Sequence, residues 1–100
     1  MPAYIIFLRE GPIRDQAEMD KYRNRNRQGP VDPALQMKPL VVYGKMEALE
    51  GQAPDGIVML QFPSVVEAKA WYNSPDYQAA IPHRLKAADY RAVIVEGLNR

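Results

Sequence analysis

Residues 39–62, PLVVYGKMEALEGQAPDGIVMLQF, read as two strands in direct succession, and that reading decides the architecture. In the first half Leu40, Val42, Gly44 and Met46 alternate with Val41, Tyr43, Lys45 and Glu47, the period of a half-buried strand that continues to about Glu47. Gln52 to Gly56, containing Pro54, Asp55 and Gly56, supplies turn chemistry. Ile57 to Phe62, IVMLQF, is a further strand, so the two make a hairpin.

Each side of this hairpin adds a strand and a helix. On the N-terminal side, AYIIFL (residues 3–8) is a short apolar run rich in β-branched and aromatic residues, a strand buried on both faces, stopped by Gly11 and Pro12. Asp15 caps a helix from about Gln16 to Gln28, with Glu18 at the third position to return the bond. The apolar face of this helix is thin, with Ala17, Met19 and Tyr22, and Gly29, Pro30 and Pro33 punctuate a linker to about Lys38.

On the C-terminal side, Ser64 and Glu67 form an S-x-x-E capping box for a helix that carries Ala68, Trp71 and Tyr72 and ends near Asn73. Ser74 caps again, with Pro75 at the first helical position and Asp76 near the positive end of the dipole. Tyr77, Ile81, Leu85 and Ala88 form the apolar stripe of this last helix. Tyr90 to Glu96, YRAVIVE, closes the series as a strand. The order βαββαβ is an α+β, ferredoxin-like arrangement with an antiparallel sheet and the second helix broken near Asn73–Pro75, all within a single domain over residues 1–100.

Helices in this topology cover one sheet face, yet AYIIFL, IVMLQF and AVIV offer apolar side chains to both. A second copy laid face to face is the economical cover, so the expected state is a symmetric homodimer joined through the sheet faces into a barrel-like core.

Composition narrows the function. Thirteen basic and twelve acidic side chains leave a net charge of +1, with no long-range field for nucleic acid or an anionic bilayer. Lys21, Arg23, Arg25 and Arg27 alternate around the first helix and read as a solvated face, a dimer-rim ion-pair surface or an anion-attracting entrance. MPAYIIFLRE reaches Arg9 and Glu10 after a six-residue apolar run, too short for a signal peptide or membrane span. With no cysteine the chain is expected in the cytoplasm. A single histidine and scattered carboxylates predict no metal site, and the absence of phosphate-cradling or nucleophile motifs predicts no cofactor.

Several separated segments carry a family resemblance. The IVMLQF strand with its FPS turn, EAKAWYNSPDYQ and HRLKAADYRAVIVEGL resemble, in this order, the domain-of-unknown-function 1330 family. MPAYIIFLRE resembles its opening strand and VVYGKMEALEG its second strand and turn, while residues 74–78 (SPDYQ) and 95–97 (VEG) are its most recognisable marks. The chain departs from the family over RNRNRQGPVDPALQM, residues 23–37, where the family usually has a less basic helix end. The resemblance implies a dimeric α+β barrel. Related barrels include cofactor-free monooxygenases, isomerases, decarboxylases and haem-binding proteins, so it implies no single activity.

His83 is the first candidate for chemistry, since imidazole takes and gives protons near neutrality. Pro82 lacks an N–H and deprives the Gln78 carbonyl of its helical partner, so a kink or restart is expected there, turning His83 and Arg84 together. In that arrangement Arg84 clamps a carboxylate and His83 handles the proton. The bland alternative has His83 merely polar and Arg84 paired with an acid such as Asp89. Tyr22, Tyr43 and Tyr72 are candidate binding residues whose hydroxyls orient a ligand, or else show at a rim; Trp71 and Tyr77 could wall the same pocket but read first as core. Two functions stay open: cofactor-free acid/base catalysis on a small organic acid or aromatic metabolite, and a non-catalytic ligand-binding or structural dimer module.

Overall fold

The described residues, 1–28 and 32–98 of the computed structural model, form β1 (Ala3–Arg9), α1 (Gln16–Gln28), β2 (Lys38–Val42), β3 (Gly56–Phe62), α2 (Val65–Tyr72), α3 (Pro75–Ala87) and β4 (Tyr90–Glu96). A single 3-10 turn at Pro33–Leu35 precedes β2, and the expected punctuation at Gly29 and Pro30 lies outside the described residues. The sheet has the order β2-β3-β1-β4 and is antiparallel throughout. This is the βαββαβ arrangement with the two helical segments of the second half broken at Asn73 and Ser74.

Pleating sorts the strand residues. Ala3, Ile5 and Phe7 of β1 and Leu60 and Phe62 of β3 point to the helices, where they pack on Ala68, Trp71 and Tyr77. The aromatic members lock the corner: the Trp71 and Tyr77 rings lie 4.1 Å apart, and Phe7 meets Trp71 edge-on at 6.4 Å. Tyr4, Ile6 and Leu8 of β1, with Ile57 and Met59 of β3, point to the other face, which none of the described helices covers.

The caps act largely as the sequence predicts. Asp15 accepts from the Glu18 amide at 3.1 Å, but the Glu18 carboxylate reaches across to α3 instead of returning the bond. Ser64 accepts from the Val66 amide while its hydroxyl donates to Glu67, and Ser74 accepts from the Tyr77 amide at 3.3 Å.

Four local expectations are corrected. β2 ends at Val42 rather than near Glu47, because Tyr43 takes a left-handed backbone with φ of 53° that cannot continue a strand. Of the expected α3 stripe Tyr77 and Ala88 are buried and Ile81 packs partly against the core, but Leu85 is 50% exposed; within the helix the buried residues are Tyr77, Ala80, Arg84 and Ala87, whose small alanines let α3 approach its neighbours closely. Ala17 is exposed, and Met19, with the partly buried Tyr22, makes the α1 contact with Ala87 and Ala88. Finally, α3 runs unbroken through Pro82, so nothing swings His83 toward Arg84. Adjacent helical residues diverge, and these two leave α3 on different sides.

Candidate functional site

A cavity of about 640 Å³ opens between the helix-facing side of the sheet and the helices. Its apolar walls come from Phe7, Val58 and Leu60 of the sheet, Trp71 of α2, and Leu35 and Met37 of the segment leading into β2. The exposed Arg23, Arg25, Asp32 and Asp76 also line it.

Among the described residues Arg84 is the one charged residue buried in this wall, 4% exposed. Its position follows from the α3 stripe: once Tyr77, Ala80 and Ala87 face the sheet, the residue seven after Tyr77 must face it too. The guanidinium lies over two aromatic faces, 5.3 Å from the Phe7 ring centre and 5.1 Å from that of Tyr90. Among the described residues it has no carboxylate partner, since Asp89 pairs with Arg14 at 2.9 Å, and its Nε has no hydrogen-bond partner. A guanidinium keeps its charge at any ordinary pH, and burial without an anion is costly. The ring faces offset part of that cost; an anionic ligand would offset more.

Two phenol pairs complete the polar part of the wall. Tyr22 and Tyr77 hydroxyls are 2.9 Å apart, and those of Tyr43 and Tyr90 are 2.6 Å apart. Burial, reinforced by Tyr22, pushes the Tyr77 phenol far above its ordinary value, with Arg84 acting in the opposite sense. Burial and the hydrogen bond with Tyr43 likewise push Tyr90 up. Both phenols are therefore held neutral, as hydrogen-bonding groups rather than bases.

Tyr43 reaches Tyr90 because of its own backbone and because of Gly56. The left-handed turn at Tyr43 follows the last bond of the β2–β3 ladder, from its amide to the Ile57 carbonyl at 2.8 Å. Its ring then lies against Gly56, where a Cβ would sit 2.8 Å from Cδ1. A phenol from one edge of the sheet thus crosses to meet the tyrosine that begins the strand at the other edge.

Of the residues singled out in the sequence, the cavity brings together Arg84, Tyr22 and Tyr43. His83 and Tyr72 do not line it. His83 Nδ1 lies 2.6 Å from Glu18 Oε2, tying α3 to α1, and the Tyr72 ring packs 5.6 Å from that of Tyr77. Sequence reasoning missed Tyr90 and favoured core packing over a place in the pocket wall for Tyr77. Tyr90 shares a face with Ala92 and Ile94, but nothing in the sequence places it opposite the end of β2. Arg23 and Arg25 line the cavity, whereas Lys21 pairs with Glu18 at 3.4 Å; the side chain of Arg27 lies outside the described residues. Among the described residues no three or more His, Asp or Glu side chains come together as metal ligands, and no helix is long and apolar enough to cross a membrane.

Comparison with known proteins supports this architecture. The family described as "Domain of unknown function (DUF1330)" matches residues 2–98. No curated protein matches the chain. Among solved structures, a protein of unknown function from Rhodopseudomonas palustris superposes with a TM-score of 0.67 at 23% identity, over 99% of this chain and 84% of its own. A dimeric ferredoxin-like protein of unknown function from Jannaschia sp. CCS1 gives 0.68 at 13% identity, over 97% and 100%. Another so described, from Thermobifida fusca YX, gives 0.63 at 18%, over 95% and 90%. At these identities the likeness shows a shared ferredoxin-like fold.

Proposed function

The chain belongs to the DUF1330 family, and from that premise and the geometry of its cleft we propose that it is a small-molecule-binding protein whose cavity takes an organic anion with an apolar, preferably aromatic, body. The observation that carries this reading is Arg84: a buried guanidinium that, among the described residues, has no carboxylate partner and an unpartnered Nε, set in an otherwise largely apolar wall. In this reading a carboxylate accepts from Arg84, the rings and aliphatic side chains hold the ligand body, and Tyr22 and Tyr43 contribute hydroxyls. His83, engaged with Glu18, is left out of the proposed site.

The experiment is a titration with phenylacetate and with its uncharged amide, followed by calorimetry and thermal shift. Phenylacetate is expected to bind and to raise the melting temperature, the amide to do neither. Arg84→Met keeps the stem and removes the charge; it should weaken phenylacetate binding roughly 10- to 100-fold, the scale of a charged hydrogen bond. Equal binding of acid and amide, or native affinity in the variant, contradicts the proposal.

We further propose that the protein works as a homodimer joined through the uncovered sheet face. The apolar side chains there support this, as do relatives described as dimeric. The cleft lies on the opposite side of the sheet and stays open in such a dimer.

A further inference from the structure

We infer that the Tyr43–Tyr90 hydroxyl pair is a second anchor for the same ligand, so that the cleft prefers carboxylates with an oxygen on the adjacent carbon, the 2-oxo and 2-hydroxy acids, over plain carboxylates. The inference rests on the reading of Arg84 as the carboxylate anchor and names the substrate class more closely.

The first argument is a count of protons. Two hydroxyls 2.6 Å apart share one hydrogen bond, which uses one O–H as donor and leaves the other hydrogen without a place. Among the described residues neither hydroxyl has another hydrogen bond, and both tyrosines line the cavity. A part-buried donor of this kind favours a ligand acceptor.

The second argument is proximity. The Arg84 guanidinium stands 5.1 Å from the centre of the Tyr90 ring, the ring that bears one hydroxyl of the pair. Both anchors therefore sit on one aromatic side chain, within reach of a single small ligand. A carboxylate at Arg84 brings an oxygen on the neighbouring carbon toward the pair, while a plain carboxylate leaves the donor unused.

The third argument is how the pair is built. Tyr43 adopts a left-handed backbone that non-glycine residues seldom take, and the residue under its ring is a glycine whose Cβ would collide with it. Packing of a ring alone does not require a hydroxyl contact across the sheet. Burial keeps the Tyr90 phenol protonated, so the pair donates to a ligand oxygen and does not abstract a proton.

The test compares phenylacetate with benzoylformate, the same skeleton with its methylene replaced by a carbonyl, by calorimetry at neutral pH. Benzoylformate should bind roughly 3- to 10-fold more tightly, the scale of one neutral hydrogen bond. Either single Tyr→Phe change leaves one O–H able to donate, so the decisive variant is Tyr43→Phe with Tyr90→Phe. It should lose the preference, binding benzoylformate no more tightly than phenylacetate. Mandelate, with a hydroxyl at the same carbon, gives a second readout on the native protein and should also bind more tightly than phenylacetate. Equal native affinities for the three acids, or a preference that survives the double variant, overturn the inference while the cleft reading stands. Failure of all three acids to bind overturns the cleft reading itself.

Discussion

Gly56 and Tyr43 show how one missing side chain shapes the cavity. The Tyr43 ring occupies the place where a Gly56 Cβ would be, with Cδ1 at 2.8 Å and Cε1 at 2.9 Å. The ring cannot simply swing away, because its hydroxyl is tied to Tyr90 and its backbone to Ile57. Gly56→Ala should therefore cost about 1–3 kcal/mol, the usual range for overpacking a filled site, seen as a lower denaturation midpoint. The same variant should lose any preference between benzoylformate and phenylacetate, because displacing the ring breaks the hydroxyl pair. The sequence offered Tyr43 as a candidate binding residue but gave no sign of its left-handed backbone or its contact with Tyr90, and Gly56 read only as turn chemistry. His83 and Arg84 teach a related lesson. Their adjacency suggested a joint site, yet consecutive residues on a helix point apart, and only the packing of α3 decides which of them enters the cavity. Composition favoured the titratable histidine; geometry favours the arginine.

At the scale of elements, α1 and α3 are joined by a contact with a definite pH response. The hydrogen bond from His83 favours ionised Glu18 and, with a smaller contribution from Lys21, holds its carboxyl below the ordinary 4.5 despite an opposing desolvation effect. A carboxyl depressed in the folded state stabilises it fully above its unfolded value, and that contribution is lost as pH falls through the depressed folded value. Glu18→Gln should lower the melting temperature near neutrality and flatten its decline between about pH 5 and pH 3. An unchanged acid limb, measured by thermal denaturation across that range, would refute this role for Glu18. Elements with strong local signals were readable in advance: the Asp15, Ser64 and Ser74 caps all form. The buried stripe of α3 was readable only in part. Tyr77, Ile81, Leu85 and Ala88 hold more apolar mass than Tyr77, Ala80, Arg84 and Ala87, but close approach favoured the small side chains and admitted one long arginine into the cavity.

For the whole molecule, the strand and helix order was legible because period-two and capping signals are local, and the sheet order follows the usual right-handed crossovers. The cavity was not, since it depends on which side chains meet across elements far apart in the sequence. The Cα envelope is only 17 Å thick, one sheet and one layer of helices. Strand register places Val41 opposite Met59, Met59 opposite Ile6, and Ile6 opposite Val93, an apolar row across all four strands on the uncovered face. Val93 is half exposed, and Arg91 and Gln61 border the row above and below. Such a row faces water at a cost that a second copy would remove, and in a dimer of that kind the polar border would set the register of the two sheets. Sedimentation equilibrium at micromolar concentration should therefore show a dimer. Met59→Glu puts a carboxylate in the middle of the row, where dimerisation would strip it of water without an opposing charge. The variant should sediment as a monomer and keep its helical circular dichroism, because Met59 points away from the helix-side core. A native monomer, or a dimer unaffected by this change, would mean that the partner does not seat on this face.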